Sequence, residues 1–200
     1  MTLWFASGNA HKKTELAAIL SGHSIKIPAE EGILDFNPPE TGKTFLDNAL
    51  IKAQALYRIL NEPVIADDSG LSVDALEGRP GIYSSRYGAD AGKPLSDSAR
   101  NALLLQELAD TPLRSARFIC AMVVLLTEDR FFAVQETLEG EILREARGLS
   151  GFGYDPIFSI PTLGRTVAEL SAAQKNRISH RGKAGNRLAA LLSAGSFDAP

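Results

Sequence analysis

The sequence predicts an α/β chain, and three observations carry that reading. A short apolar segment at residues 3–6 runs through Ser7-Gly8-Asn9 into a helical pattern. A long amphipathic stretch at 44–60 is followed by the apolar residues Pro63-Val64-Ile65. Two β-type runs at 117–126 and 131–143 flank Glu128-Asp129-Arg130, and helical material at 167–194 follows a short strand at 157–160. At 200 residues the chain suits one domain over 1–200, or two lobes sharing a core, and can bury a sizeable interior.

Composition narrows the function. Hydrophobic residues at 44% and charged residues at 22% are ordinary globular values. A net charge of -3 exerts no general pull towards nucleic acid or anionic membranes, so neither is expected as a partner. The lone Cys120 rules out an internal disulfide framework, fits a reducing compartment and falls in an apolar run, which marks it as a core residue. Three scattered histidines and one cysteine argue against structural zinc. With no basic leader and no stretch of about 18 apolar residues, a soluble cytoplasmic protein is expected.

The first strand turns into its helix through small residues, which leaves backbone N–H groups at the helix start for an anion. Lys12 and Glu15 stand three apart on one face of that helix. The stretch lacks the P-loop spacing, and taken alone it is more often a capped surface helix. A second strand is expected at 25–28. Residues 29–43 read as a loop presenting Glu40-Thr41-Gly42. The 44–60 helix has an apolar stripe of Leu46, Ala49, Leu50, Ala53, Leu56 and Leu60, with Asn48 and Lys52 four apart on another face.

Ala66-Asp67-Asp68-Ser69-Gly70 is then expected at the end of a buried strand. Adjacent carboxylates there must be wet, paired or occupied by a cation, and Mg2+ takes one or two carboxylates while leaving its other positions to water and phosphate. Asp, Ser and Gly also cluster in ordinary turns, so these residues alone leave both readings open. Residues 76–92 read as a glycine-punctuated loop, and Ser96 or Asp97 caps a helix through Leu108. The dense glycines at 148–153 let backbone approach a ligand, with Phe152 and Tyr154 as flat faces. Lys175, Arg177, Arg181, Lys183 and Arg187 form a basic run, in which Ser179 is expected to cap a helix starting at His180.

Together these stretches resemble a known family. Ser7-x-Asn9-x-x-Lys12-x-x-Glu15, Glu40-Thr41-Gly, Phe45-x-x-Asn48-Ala-x-x-Lys52-Ala and Ala-Asp67-Asp68-Ser69-Gly are similar to motifs of the non-canonical purine NTP pyrophosphatases, the inosine triphosphatase or Ham1-like family. So are Gly81-Ile82-Tyr83-Ser-x-Arg86-Tyr, Gly151-Phe152-Gly-Tyr-Asp155-Pro-Ile-Phe and Ile178-Ser-His180-Arg181-Gly. Residues 96–147 carry much less of the match.

The resemblance implies an elongated two-lobed α/β fold, a long mixed twisted sheet flanked by helices and an active-site cleft between lobes. It implies a homodimer and Mg2+-dependent hydrolysis of ITP, dITP and XTP to the monophosphate and pyrophosphate. It assigns Asp68 as catalytic proton acceptor and Glu40 with Asp68 as metal ligands. It assigns Ser7, Gly8, Asn9, Ala10, His11, Lys12 and Lys52 to phosphate, and Ser69 to substrate beside the catalytic acid. Phe152, Gly153, Tyr154, Asp155, Lys175, His180 and Arg181 go to the base. Asp67 is left as either an assisting or a structural acid. Three rivals fit less well, the strongest being a nucleotide pyrophosphatase of related fold acting on modified pyrimidine or m7G nucleotides, against which the segments 152–155 and 179–181 argue. A serine hydrolase using Ser69 and His180 lacks the nucleophile elbow, and an RNA- or nucleotide-binding module leaves the acid pair repelling its ligand.

Overall fold

The computed structural model describes residues 1–89 and 93–194, so Gly92 of the expected 76–92 loop lies outside the described residues. In chain order the strands and α-helices are β1 (Thr2–Phe5), α1 (Ala10–Ile19), β2 (Ser24–Lys26), α2 (Phe45–Leu60), β3 (Val64–Val73), α3 (Asp97–Glu107), β4 (Ser115–Thr127), β5 (Arg130–Ile142), β6 (Phe158–Ile160), β7 (Arg165–Thr166), α4 (Ala172–Ile178) and α5 (His180–Ala194). The strands form one seven-stranded sheet in the order β2-β1-β3-β4-β5-β6-β7. It is mixed: β1 runs parallel to β2 and β3, and β6 antiparallel to β5 and β7. No helix among the described residues is long and apolar enough to cross a membrane.

The chain forms two compact units. One comprises Met1–Asp68, Cys120–Glu136 and the chain from His180; the other comprises Ser69–Ile119 and Thr137–Ser179. In the first unit, α1 is the crossover of a β1-α1-β2 unit, the connection that parallel strands require. Two cores form here because side chains alternate along β3. Ile65 packs with Leu3, Phe5, Leu16, Met122 and Leu188, whereas Val64 and Ala66 pack with Ala49, Ala53 and Leu56 of α2. Close contact of α1 with α5 requires Gly185, where a Cβ would stand 2.8 Å from Ile19 Cγ2. The second unit has its own core, built around Leu71, Leu104, Phe118, Tyr154 and Phe158.

Two expectations need correction, and two other stretches gain detail. Asp67 and Asp68 lie inside β3, not at its end, because Leu71 and Val73 continue the strand into the second unit's core. β2 stops at Lys26, since Pro28 has no N–H for the ladder and opens a 3-10 turn. The 76–92 region carries 3-10 turns at Asp74–Leu76 and Gly81–Arg86. The stretch 167–194 is a 3-10 turn and two α-helices, separated at Ser179, whose backbone is extended. The expected start of α5 at His180 is observed.

Candidate active site

Strand geometry decides what the two acids do. Successive β residues point to opposite faces, so Asp67 and Asp68 cannot act as a facing pair on one surface. Asp67 follows Ile65 onto the α1/α5 face, and Asp68 follows Ala66 onto the α2 face.

Asp67 is 1% exposed and held by cations. Lys12 Nζ of α1 lies 3.1 Å from its Oδ1 and 3.0 Å from its Oδ2. Arg181 Nε donates to Oδ2 at 3.2 Å, and Arg181 Nη1 donates to Glu15 at 2.6 Å. Lys12 and Glu15 therefore meet in one network, as their shared helix face allows. Burial alone would raise the Asp67 pKa, but Lys12, Arg181 and Lys52 outweigh it and hold the carboxyl well below its usual range. Burial would lower the Arg181 pKa, but Asp67, followed by Cys120 and Glu15, outweighs it and raises the guanidinium. Cys120 is buried beside Asp67, its thiol pushed up to about 12 chiefly by desolvation and then by the carboxylate. It is a core residue, as its apolar run implies.

Asp68 has a different balance. Lys52 Nζ donates to its Oδ1 at 3.2 Å and to Glu40 Oε1 at 2.9 Å, so one ammonium bridges two carboxylates. Asn48 Nδ2 donates to the other oxygen, Oδ2, at 3.1 Å. Burial raises the Asp68 pKa; Lys52 opposes this, Glu40 adds to it, and the net shift is upward. Lys52 is raised in turn, its desolvation outweighed by Asp68, Asp67 and Glu40. α2 sets this up by spacing: Asn48 and Lys52, one turn apart, grip the two oxygens of one carboxylate.

The loop before α1 is a built helix start. Asn9 caps α1 by accepting from Lys12 N at 3.1 Å, and Ser7 Oγ accepts from Asn9 N at 3.1 Å. Gly8, Asn9, Ala10 and His11 are exposed. His180, the first residue of α5, is buried.

The second unit gathers Phe152, Asp155 and Lys175. Asp155 Oδ2 accepts from Phe152 N at 3.0 Å and from Lys175 Nζ at 2.8 Å, and that ammonium sits 4.5 Å from the Phe152 ring centroid. Gly151, at φ +81, is required here, because a Cβ would lie 2.2 Å from Asp155 Oδ2. Asn101 Nδ2 donates to the Gly153 carbonyl at 3.1 Å. Tyr154 is buried with its hydroxyl donating to Ser84 O at 2.9 Å, so it anchors the loop to the core. Ser69 is half-buried on β3.

Several partners of site residues lie outside the sequence-derived set, Asn101 and Ser84 in the second unit and two more in the first. Glu15, which holds Arg181, and Asn48, which holds Asp68, both sit at helical spacing from a chosen lysine, and that spacing was the available signal.

The model of the Ham1 family matches residues 3–191. The chain is 54% identical over 184 residues to the dITP/XTP pyrophosphatase of Treponema denticola, covering 92% of this chain and 94% of that one. It superposes on the Ham1 protein of Staphylococcus aureus with a TM-score of 0.86 at 42% identity, covering 97% of this chain and 99% of that one. On the Coxiella burnetii HAM1 protein the TM-score is 0.87 at 40% identity, with 98% and 100% covered.

Proposed function

The chain belongs to the Ham1 family, and we propose that it is a Mg2+-dependent nucleoside-triphosphate pyrophosphatase that converts ITP, dITP and XTP to the monophosphate and pyrophosphate. The observation that carries this reading is the α2 face, where Asp68 and Glu40 share Lys52. That is hard-oxygen chemistry around a point already suited to positive charge. Two carboxylates are about the number Mg2+ takes from a protein when phosphate and water complete its shell. Glu40 and Asp68 would hold the ion. Bound there, it neutralises phosphate charge and lowers the pKa of water.

Attack at the α-phosphorus, with pyrophosphate as leaving group, is the step proposed for these products. The water oxygen bonds to that phosphorus, the bond to the bridging oxygen breaks, and pyrophosphate departs with the electron pair. Asp68 takes the proton of the water, as a carboxylate beside the reacting oxygen can. Ser7, Asn9, Lys12, Lys52 and the N–H groups at the start of α1 are assigned to phosphate oxygens. Ser69 is assigned to substrate contact.

Base recognition is assigned to Phe152 as stacking face with Asp155 and Lys175 beside it. His180 is kept as a donor to the C6 keto oxygen that hypoxanthine and xanthine present and adenine lacks. A buried donor left unpaired by the wrong base supports discrimination of roughly 10^4-fold. Arg181 stays assigned to the base beside His180, and its Nε and Nη1 also hold Asp67 and Glu15. A cytoplasmic homodimer is the proposed working form, to be checked by light scattering.

The test is product analysis on purified protein with ITP, dITP, XTP, ATP and GTP. Pyrophosphate release from the first three, abolished by EDTA, is expected. Orthophosphate as first product, or equal rates on ATP, would overturn the proposal.

A further inference from the structure

We propose that Asn48 is a positioning residue: its carboxamide ties the backbone of the Glu40-bearing loop to Asp68, so that the two carboxylates hold one arrangement before any cation arrives. The inference rests on the reading of Glu40 and Asp68 as the metal-holding pair.

Asn48 is 0% exposed, which removes the ordinary explanation of a solvated helix face. Its Oδ1 accepts from Gly42 N at 2.9 Å, and its Nδ2 donates to Asp68 Oδ2 at 3.1 Å. Chemistry fixes this orientation. A backbone N–H only donates, so the carboxamide oxygen must face Gly42, and the NH2 group is left to face a carboxylate that accepts. One planar group thus connects two elements, each through the end that suits it.

Lys52 makes a second tie one turn along α2, from Asp68 Oδ1 to the Glu40 side chain. The two ties differ in kind. Lys52 carries charge and is assigned to phosphate, so substrate competes for it. Asn48 is neutral and grips a backbone N–H together with the other Asp68 oxygen. It therefore keeps the loop and the acid in register when the lysine turns to a ligand.

Gly42 supports the same conclusion from the loop side. A Cβ there would stand 2.5 Å from Asp47 Cβ and 2.7 Å from Asn48 Oδ1, so the loop passes the first turn of α2 at a distance only glycine permits. That first turn is secured independently. Thr44 and Asp47 form a capping box, and Asp47 Oδ2 also accepts from Lys43 N at 3.1 Å. Loss of the Asn48 carboxamide releases Gly42 and Asp68 while leaving this cap in place.

The experiment compares wild type, Asn48→Ala and Gly42→Ala. Mn2+ binding to the nucleotide-free protein is followed by electron paramagnetic resonance, pyrophosphate release from ITP is measured across Mg2+ concentrations, and unfolding midpoints are recorded. Groups that orient metal ligands typically contribute about 10–100-fold in affinity or activity. Asn48→Ala is expected to weaken Mn2+ binding about tenfold and to lower turnover, with excess Mg2+ restoring part of it and the KM for ITP at saturating Mg2+ nearly unchanged. Gly42→Ala displaces the loop while keeping the buried carboxamide, and should reproduce the Mn2+ defect. Mn2+ affinity within about twofold of wild type in both variants, even with a lowered unfolding midpoint, would make Asn48 merely structural and overturn the inference. A wild-type protein that binds no Mn2+ and releases no pyrophosphate would instead overturn the functional reading, and this inference with it.

Discussion

Asp67 and Asp68 are adjacent, chemically identical and both buried, yet they occupy opposite electrostatic situations. On the α1/α5 face, Asp67 meets Lys12 and Arg181, and its pKa is driven down. On the α2 face, Asp68 shares its one lysine with Glu40, and its pKa is driven up. The difference shows how a strand divides labour. The first acid is a fixed counter-charge that fastens α1 and α5 to β3. The second is short of positive charge, which suits an arriving cation and a proton. A carboxylate that cations already satisfy is a poor base; one that they do not satisfy is a better one.

The largest expected effect tests the second half of that contrast. Asp68→Asn should lower pyrophosphate release from ITP by about 10^2–10^4-fold, the usual range for loss of a general base. Turnover within about threefold of wild type would remove Asp68 from the chemistry.

Asp67→Asn should act on the fold instead. Removing one member of a buried ion-paired group strands the others and costs about 3–5 kcal/mol. The pH dependence has a definite sign. Asp67 is depressed in the folded protein, so its stabilisation is present above the ordinary aspartate range and lost as pH falls through its folded value. The stability gap between wild type and Asp67→Asn in metal-free protein should therefore be constant from pH 7 to about 5 and shrink below about 4. Denaturant melts across pH check this, and a gap that widens on acidification would contradict it.

Smaller effects probe the supports of the Asp67 face. Gly185→Ala pushes against the Cγ2 branch of Ile19, close to its backbone, so a loss of about 1–3 kcal/mol is expected by chemical denaturation. Cys120, buried with its thiol raised to about 12, should resist alkylation in the native protein at pH 8 and react once denaturant opens the core. Rapid native labelling would show that this face is looser than its ion pairs imply.

Much of the molecule was legible in the sequence, for identifiable reasons. The apolar stripe of α2, the β4 and β5 runs and the small-residue turn into α1 are local patterns, and local patterns survive without coordinates. The acid pair stood out in the sequence as a candidate site but was misplaced at a strand end, because Asp-Ser-Gly has the composition of a turn. What makes it strand is distant: Gly70 is demanded by Ser84, whose Oγ would lie 2.3 Å from an added Cβ. Leu71 N in turn donates to that same Oγ at 2.8 Å. The pairing of Arg181 with Asp67 was not legible, because it spans 114 positions, a separation no spacing rule reaches. Asn48 was visible as a neighbour of Lys52, but whether such a residue faces solvent or a carboxylate is decided by what packs on its helix.

The contrast between the two acids is tested most directly by one measurement, thermal unfolding of Asp67→Asn and Asp68→Asn beside wild type, metal-free at pH 7. Asp68 has a raised folded pKa, so its ionised form opposes folding there, and neutralising it should leave the midpoint unchanged or higher. Asp67→Asn should fall by about 10 °C, from about 3–5 kcal/mol at about 2–4 °C per kcal/mol for a chain of this size. Equal losses in the two variants, or a fall confined to Asp68→Asn, would contradict the account.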